Sequence, residues 1–169
     1  MAVRSAGILM YQGGGGNIRV LLVHPGGPFW RRRDAGAWSI PKGVVRADED
    51  AETAARREFA EELGAMPQGT LAPLGAIRQA GGKWVEAFAV EGDFDVGETE
   101  SNCFKIEWPP RSGRVQAFPE VDRAGWFALP EARQKILVSQ RPLLDRLEAH
   151  CRSQDFAGSP DRNNAGRQN

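Results

Sequence analysis

The stretch from Glu49 to Leu63 constrains this chain more than any other. It holds no proline or glycine, and its middle is rich in alanine. Asp48 or Asp50 stands at its start as an N-cap, and Gly64 follows where a left-handed C-terminal glycine belongs. Ala55, Phe59 and Leu63 recur every fourth residue and form an apolar stripe. Glu58, Glu61 and Glu62 sit at i, i+3 and i+4, within an arc of roughly 100°. Such a helix is anchored against a sheet on one side and concentrates negative charge on an adjoining side. Like charges at this spacing destabilise a helix by roughly a few tenths of a kcal/mol per pair. Two readings account for the acidic arc: a solvated face, or a site for a hard divalent cation, which prefers oxygen ligands.

The flanking sequence supplies strands. Val3–Tyr11 and Ile18–Val23 are apolar runs joined by Gly13–Gly16 and Asn17. Because a β-branched run follows the glycines, they read as a turn rather than a phosphate cradle, which would open a helix. Leu71–Gln79 and Lys83–Val90 flank Gly81-Gly82 as a hairpin. Cys103–Trp108 and Ala124–Leu129 are further strands, and Pro130 opens a helix where proline is tolerated. Ser139–His150 is helical, with Leu143, Leu144 and Leu147 on one face. Arg152–Asn169 is polar and reads as a flexible tail. Hairpins, one internal helix, more strands and terminal helices predict an α/β (α+β) sandwich, not a doubly wound sheet. The expected division is one domain over residues 1–151 and a tail over 152–169.

The 169 residues contain 22 Lys plus Arg and 22 Asp plus Glu, so the formal charge is zero. That balance argues against bulk electrostatic binding to nucleic acid or an anionic membrane. Two cysteines, Cys103 and Cys151, are too few for a disulfide framework or a zinc ribbon. With no secretory hydrophobic region and no apolar run of membrane-spanning length, a cytoplasmic location is expected.

Upstream spacing sharpens the reading. Gly43 is followed by five residues, then Glu49, seven residues, and Arg57-Glu58-Phe59-Ala60-Glu61-Glu62-Leu63-Gly64-Ala65. This resembles the Nudix box, G-x5-E-x7-R-E-U-x-E-E-x-G-U, with U a bulky apolar residue. Every fixed polar and glycine position matches; Ala65 stands where a larger aliphatic is usual.

The resemblance implies a Nudix-type α/β/α sandwich with a central mixed sheet. It also implies hydrolysis of a diphosphate linkage with Mg²⁺ or Mn²⁺. By the box, Glu58, Glu61 and Glu62 are metal ligands, with the Gly43 carbonyl as an additional one. Glu62 or Glu58 helps activate water, and Arg57 and Glu49 orient the helix. Glu120, in Phe118-Pro119-Glu120-Val121, matches an acidic position of several members and is equally readable as a loop carboxylate.

Substrate assignment rests on less. Trp38-Ser39-Ile40-Pro41-Lys42-Gly43 is similar to the corresponding segment of members that act on nucleoside triphosphates or dinucleoside polyphosphates. Lys42 reads as a phosphate contact or as a surface lysine. Arg33, within Arg31-Arg32-Arg33, and Trp38 read as phosphate and adenine contacts, or as a solvated run and a core indole. The leading expectation is a pyrophosphohydrolase of a nucleoside polyphosphate. The alternatives are an ADP-ribose or nucleotide-sugar pyrophosphatase and a catalytically inactive nucleotide sensor. The expected partner is a nucleotide or other diphosphate-containing small molecule, with nucleic acid disfavoured and a homodimer left open.

Overall fold

The computed structural model describes residues 3–157. Among the described residues, eight strands and three α-helices follow in chain order. They are β1 (Arg4–Gln12), β2 (Arg19–Pro25), β3 (Lys42–Val44), α1 (Ala51–Leu63), β4 (Ala72–Arg78) and β5 (Trp84–Glu91). Then come β6 (Cys103–Glu107), β7 (Val115–Pro119), β8 (Val121–Ala128), α2 (Leu129–Lys135) and α3 (Arg141–Ala157).

The main sheet runs β4-β5-β1-β2-β8, with β3 paired to β1 alongside. β1 and β5 are parallel and the other pairs antiparallel, so the sheet is mixed as expected. β6 and β7 form a separate two-stranded hairpin.

Strand alternation sorts the core into two layers. Ala6, Ile8, Met10, Leu21, Val23, Phe88 and Val90 face α1, which buries Ala54, Ala55, Phe59 and Leu63 among them. Leu9, Tyr11, Val20, Leu22, Val85 and Ala87 face the other way, against Leu143, Leu144 and Leu147 of α3 and Ile136 after α2. The result is the anticipated three-layer sandwich.

Three differences from the sequence reading stand out. Val115–Pro119 is a strand, which its exposed, weakly alternating side chains concealed. The helix expected to end near His150 continues to Ala157, so the first six residues read as tail are helical. The remainder of that tail lies outside the described residues. Finally, α1 starts at Ala51 rather than Glu49, capped by the Asp50 side chain accepting from the Thr53 N–H at 2.7 Å. Among the described residues, no helix is long and apolar enough to cross a membrane.

Candidate active site

The acidic helix is fixed at both ends. Asp50 caps its first turn, and Gly64 adopts the left-handed conformation at φ 86°. A strap then satisfies the last-turn carbonyls: Glu100 N–H donates to Leu63 O at 3.1 Å and Asn102 N–H to Glu61 O at 2.9 Å. That strap leads directly into β6.

Glu58 is 8% exposed, and its carboxylate lies flat against Gly43 of β3. A Cβ added at Gly43 would stand 2.0 Å from Glu58 Cδ, so only glycine lets the helix and strand approach this closely. The spacing from Gly43 to Glu58 is thus a packing requirement as well as a motif.

Arg57 gathers the other acids. Its Nη1 donates to Glu58 Oε1 at 2.8 Å and to Glu61 at 3.3 Å; Nε donates to Glu49 Oε2 at 3.1 Å, and Nη2 to Val44 O at 2.9 Å. The hydrogen bonds from Arg57, then the bond from the Arg46 N–H, hold the Glu49 carboxyl down at about 2. Bonding to Glu49 raises the Arg57 guanidinium further above its usual range. The guanidinium ties α1 to the β3 strand and the loop after it.

Glu62 is not part of that network. Its Oε2 is buried without a hydrogen-bond partner. Burial pushes its carboxyl up to about 8; the Lys42 ammonium pulls against that, while the Glu58 and Glu120 charges reinforce it. Glu120, at the β7–β8 junction, is raised by partial burial and by the Glu58 and Glu61 charges. Desolvation lowers the Lys42 ammonium despite Glu62 beside it. Lys42, Glu62 and Glu120 line one cavity of about 130 Å³ with Ser39, Ile40 and Val121. Of the expected site residues, Lys42, Glu62 and Glu120 thus share one cavity, while Glu58 packs on Gly43 and the Glu58 and Glu61 charges act on Glu120 from beside it. Among the described residues, no three acidic groups converge into a ready-made metal cage.

A divalent cation nevertheless fits the chemistry of this donor set. A buried carboxylate with one oxygen unpartnered, beside two further carboxylates, is costly alone and favourable around a hard cation.

Of two expected substrate contacts, Trp38 is corrected to a core indole and Arg33 lies outside the acidic cavity. Trp38 is 5% exposed, donates through Nε1 to Asp34 Oδ1 at 2.8 Å, and packs against His24 and Phe127; no ligand base reaches its face. Arg33 is not in the acidic cavity: its guanidinium lies over the Trp30 ring, 5.4 Å from the centroid.

Two structural supports act from far along the chain; His24 reads in the sequence as a structural or surface residue, and Gln140 escaped sequence reasoning. Gln140, fully buried after α2, accepts from Ile40 N–H at 3.0 Å and donates to Ser39 Oγ at 2.9 Å, fixing the segment that enters β3. His24 is fully buried and bridges Asp122 Oδ1 at 2.9 Å and Arg33 O at 2.6 Å. A lone Gln and a lone His carry no local signal of such long-range roles.

Comparison with known proteins agrees with the geometry. The NUDIX domain family matches residues 1–147, and the chain belongs to that family. An RNA pyrophosphohydrolase of Caulobacter vibrioides is 49% identical over 53 residues, covering 28% of this chain and 31% of the relative. One of Hahella chejuensis is 39% identical over 54 residues, covering 31% and 34%. The chain thus spans about a third of the length of the curated relatives it matches. Among solved structures, the NUDIX domain of Shewanella oneidensis NrtR complexed with ADP ribose superposes with TM-score 0.61 at 18% identity, covering 89% of this chain and 88% of that one. A Caenorhabditis elegans Ap4A hydrolase binary complex gives 0.57 at 24%, covering 94% and 100%. These likenesses support the three-layer fold.

Proposed function

We propose that this chain is a divalent-cation-dependent hydrolase of phosphorus anhydrides that cleaves a nucleoside polyphosphate. Glu58, Glu61, Glu62, Glu120 and the Gly43 carbonyl would hold the cation, Mg²⁺ or Mn²⁺. The observation that carries the reading is the buried Glu62 carboxylate, whose Oε2 has no hydrogen-bond partner and whose charge is coupled to Lys42, Glu58 and Glu120. When bound, such a cation neutralises phosphate charge and lowers the pKa of coordinated water.

The chain's own residues supply the rest. Arg57 holds Glu58 and Glu61 rigid on α1, so their positions need no reorganisation when a polyanion arrives. Lys42, as a desolvated ammonium at the cleft, contacts a phosphate oxygen as a point charge. Glu62 or Glu58 would take a proton from the attacking water, since both carboxylates stand on the rigid helix beside the cation they would hold. The segment Ser39–Lys42, clamped by Gln140, closes one wall against bulk water.

The relatives' names suggest RNA, Ap4A and ADP ribose as compounds to test, and RNA is presented with a 5′-triphosphate. A panel of these with Mg²⁺ or Mn²⁺, read by product identity, tests the proposal. Release of pyrophosphate or a nucleoside triphosphate from polyphosphate substrates is the expected result. AMP with ribose phosphate from ADP-ribose alone would move the assignment to the nucleotide-sugar class. Nucleotide binding without turnover of any member would make this a sensor.

A further inference from the structure

The β6–β7 hairpin is not needed to complete the sandwich, yet it is built onto the rim of the acidic cleft. Its base is closed by Glu120 N–H donating to Asn102 O at 2.8 Å, and Asn102 in turn donates to Glu61 O on α1. Each strand has five residues, so the hairpin projects about 17 Å from Glu120.

The loop after β2 runs along its length. Near the base, Gly26 donates to Glu120 O at 2.9 Å, and a Cβ there would stand 1.9 Å from Pro119 O. Farther out, Gly27 at φ 96° abuts the Phe104 ring, where a Cβ would lie 2.9 Å from Cζ. At the tip, Phe29 meets Trp108 edge to face, with ring centroids 5.3 Å apart. Glycines at both close approaches let loop and hairpin pack as one arm.

The arm is basic. Residues 26–33 carry Arg31, Arg32 and Arg33 and no acid; residues 103–119 carry Lys105, Arg111 and Arg114 against Glu107 alone. The surplus is five positive charges in a chain whose total is zero. All six cations are exposed, and among the described residues none forms an ion pair, whereas Arg4, Arg56, Arg57, Arg133 and Arg152 do. The tip is also aromatic: Phe29 is 66% exposed beside Trp108. Exposed cations free of ion pairs, with the exposed Phe29 ring at the end of the arm, are the surface that single-stranded nucleic acid recognises through phosphates and base stacking.

We infer that this arm is a docking surface for the nucleotides that follow a 5′-polyphosphate, so that the substrate class is the 5′ end of a single-stranded RNA rather than a free nucleotide. The inference rests on the hydrolase reading for placing the 5′ end in the cleft, but the arm's affinity does not depend on turnover. It also revises the expectation drawn from neutral net charge: a whole-chain total conceals the local surplus of cations on the arm.

The test compares two probes, ATP and an RNA of about eight nucleotides carrying a 5′-triphosphate. Each has a methylene in place of the scissile bridging oxygen, so neither turns over. Binding of the RNA about tenfold or more tighter than ATP, with strong salt dependence, is expected. The exposed quadruple variant Arg31→Ala, Arg32→Ala, Arg111→Ala, Arg114→Ala should lower the slope of log affinity against log salt by about 3 for RNA, at about 0.7 per lost phosphate contact. Lysine at the same four positions should restore it, and thermal melts should confirm that both variants fold. RNA bound no tighter than ATP by the unmodified chain, or equal losses for both probes in the alanine variant, overturns the inference. Turnover of free nucleotides but not of ordinary 5′-triphosphate RNA would overturn the inferred substrate class and leave the hydrolase reading standing, whereas arm-dependent RNA binding with turnover of neither would refute the hydrolase reading.

Discussion

The substitution Glu62→Gln keeps side-chain volume and removes one titratable group. In the cation-free protein the Glu62 carboxyl titrates at about 8, against 4.5 when unfolded. A carboxyl raised on folding contributes most favourably below its unfolded value, and that contribution is lost as pH rises through the folded value. At pH 7 the folded protein keeps Glu62 protonated, which costs on the order of 3 kcal/mol relative to the unfolded chain. Glutamine is spared this cost but must still bury an amide, so the net gain is roughly 1–3 kcal/mol. For a domain of this size each kcal/mol is worth about 2–4 °C in Tm. The assay is thermal unfolding with chelator at about pH 5 and about pH 7.5, the two sides of the window. The glutamine variant should gain several degrees over the parent at the higher pH and little at the lower. The same variant should lose about 10²–10⁴-fold in kcat, the range for a positioned base. An equal Tm difference at both pH values, or a less stable variant at the higher one, would refute the claim that Glu62 is a desolvated carboxylate awaiting a cation.

Arg57→Ala should destabilise the chain by roughly 1–3 kcal/mol in urea unfolding, because it leaves Glu58 and Glu49 without their donor; Arg57→Lys should not rescue it, since one ammonium cannot reproduce the fork. Gly43→Ala should abolish measurable turnover in the product assay while the chain still folds, because the added methyl displaces the Glu58 carboxylate. Glu49 sits at about 2 when folded and 4.5 unfolded, so its contribution is present above 4.5 and lost as pH falls through 2. Glu49→Gln should therefore flatten the acid limb of the stability–pH curve. Gln140→Leu should cost roughly 1–3 kcal/mol by orphaning the Ile40 N–H, and lower kcat through the misplaced Ser39–Lys42 wall.

The parts of this account legible in the sequence are local. Asp50, the alanine-rich run and Gly64 announce α1 through capping and propensity, and the spacing of Glu58, Glu61 and Glu62 follows from 3.6 residues per turn. The parts that were not legible depend on contacts distant in sequence. Trp38 and Arg33 sit beside a basic run in the chain, yet the fold turns one into the core and lays the other over Trp30. Gln140 and His24 acquire their roles from partners 100 and 98 residues away, which no periodicity reports. The β7 strand pairs only with β6 and exposes most of its side chains, so it lacks the half-buried alternation that marks a sheet strand.

The central claim is that Glu58, Glu61, Glu62 and Glu120 form a cation site completed by a polyphosphate. Calorimetric titration of Mn²⁺ into the full chain with a methylene-bridged nucleoside triphosphate measures this directly. Saturable uptake is predicted, weakened by Glu62→Gln and by Glu58→Gln. Absence of Mn²⁺ uptake by the parent chain, with the analogue bound, would contradict it.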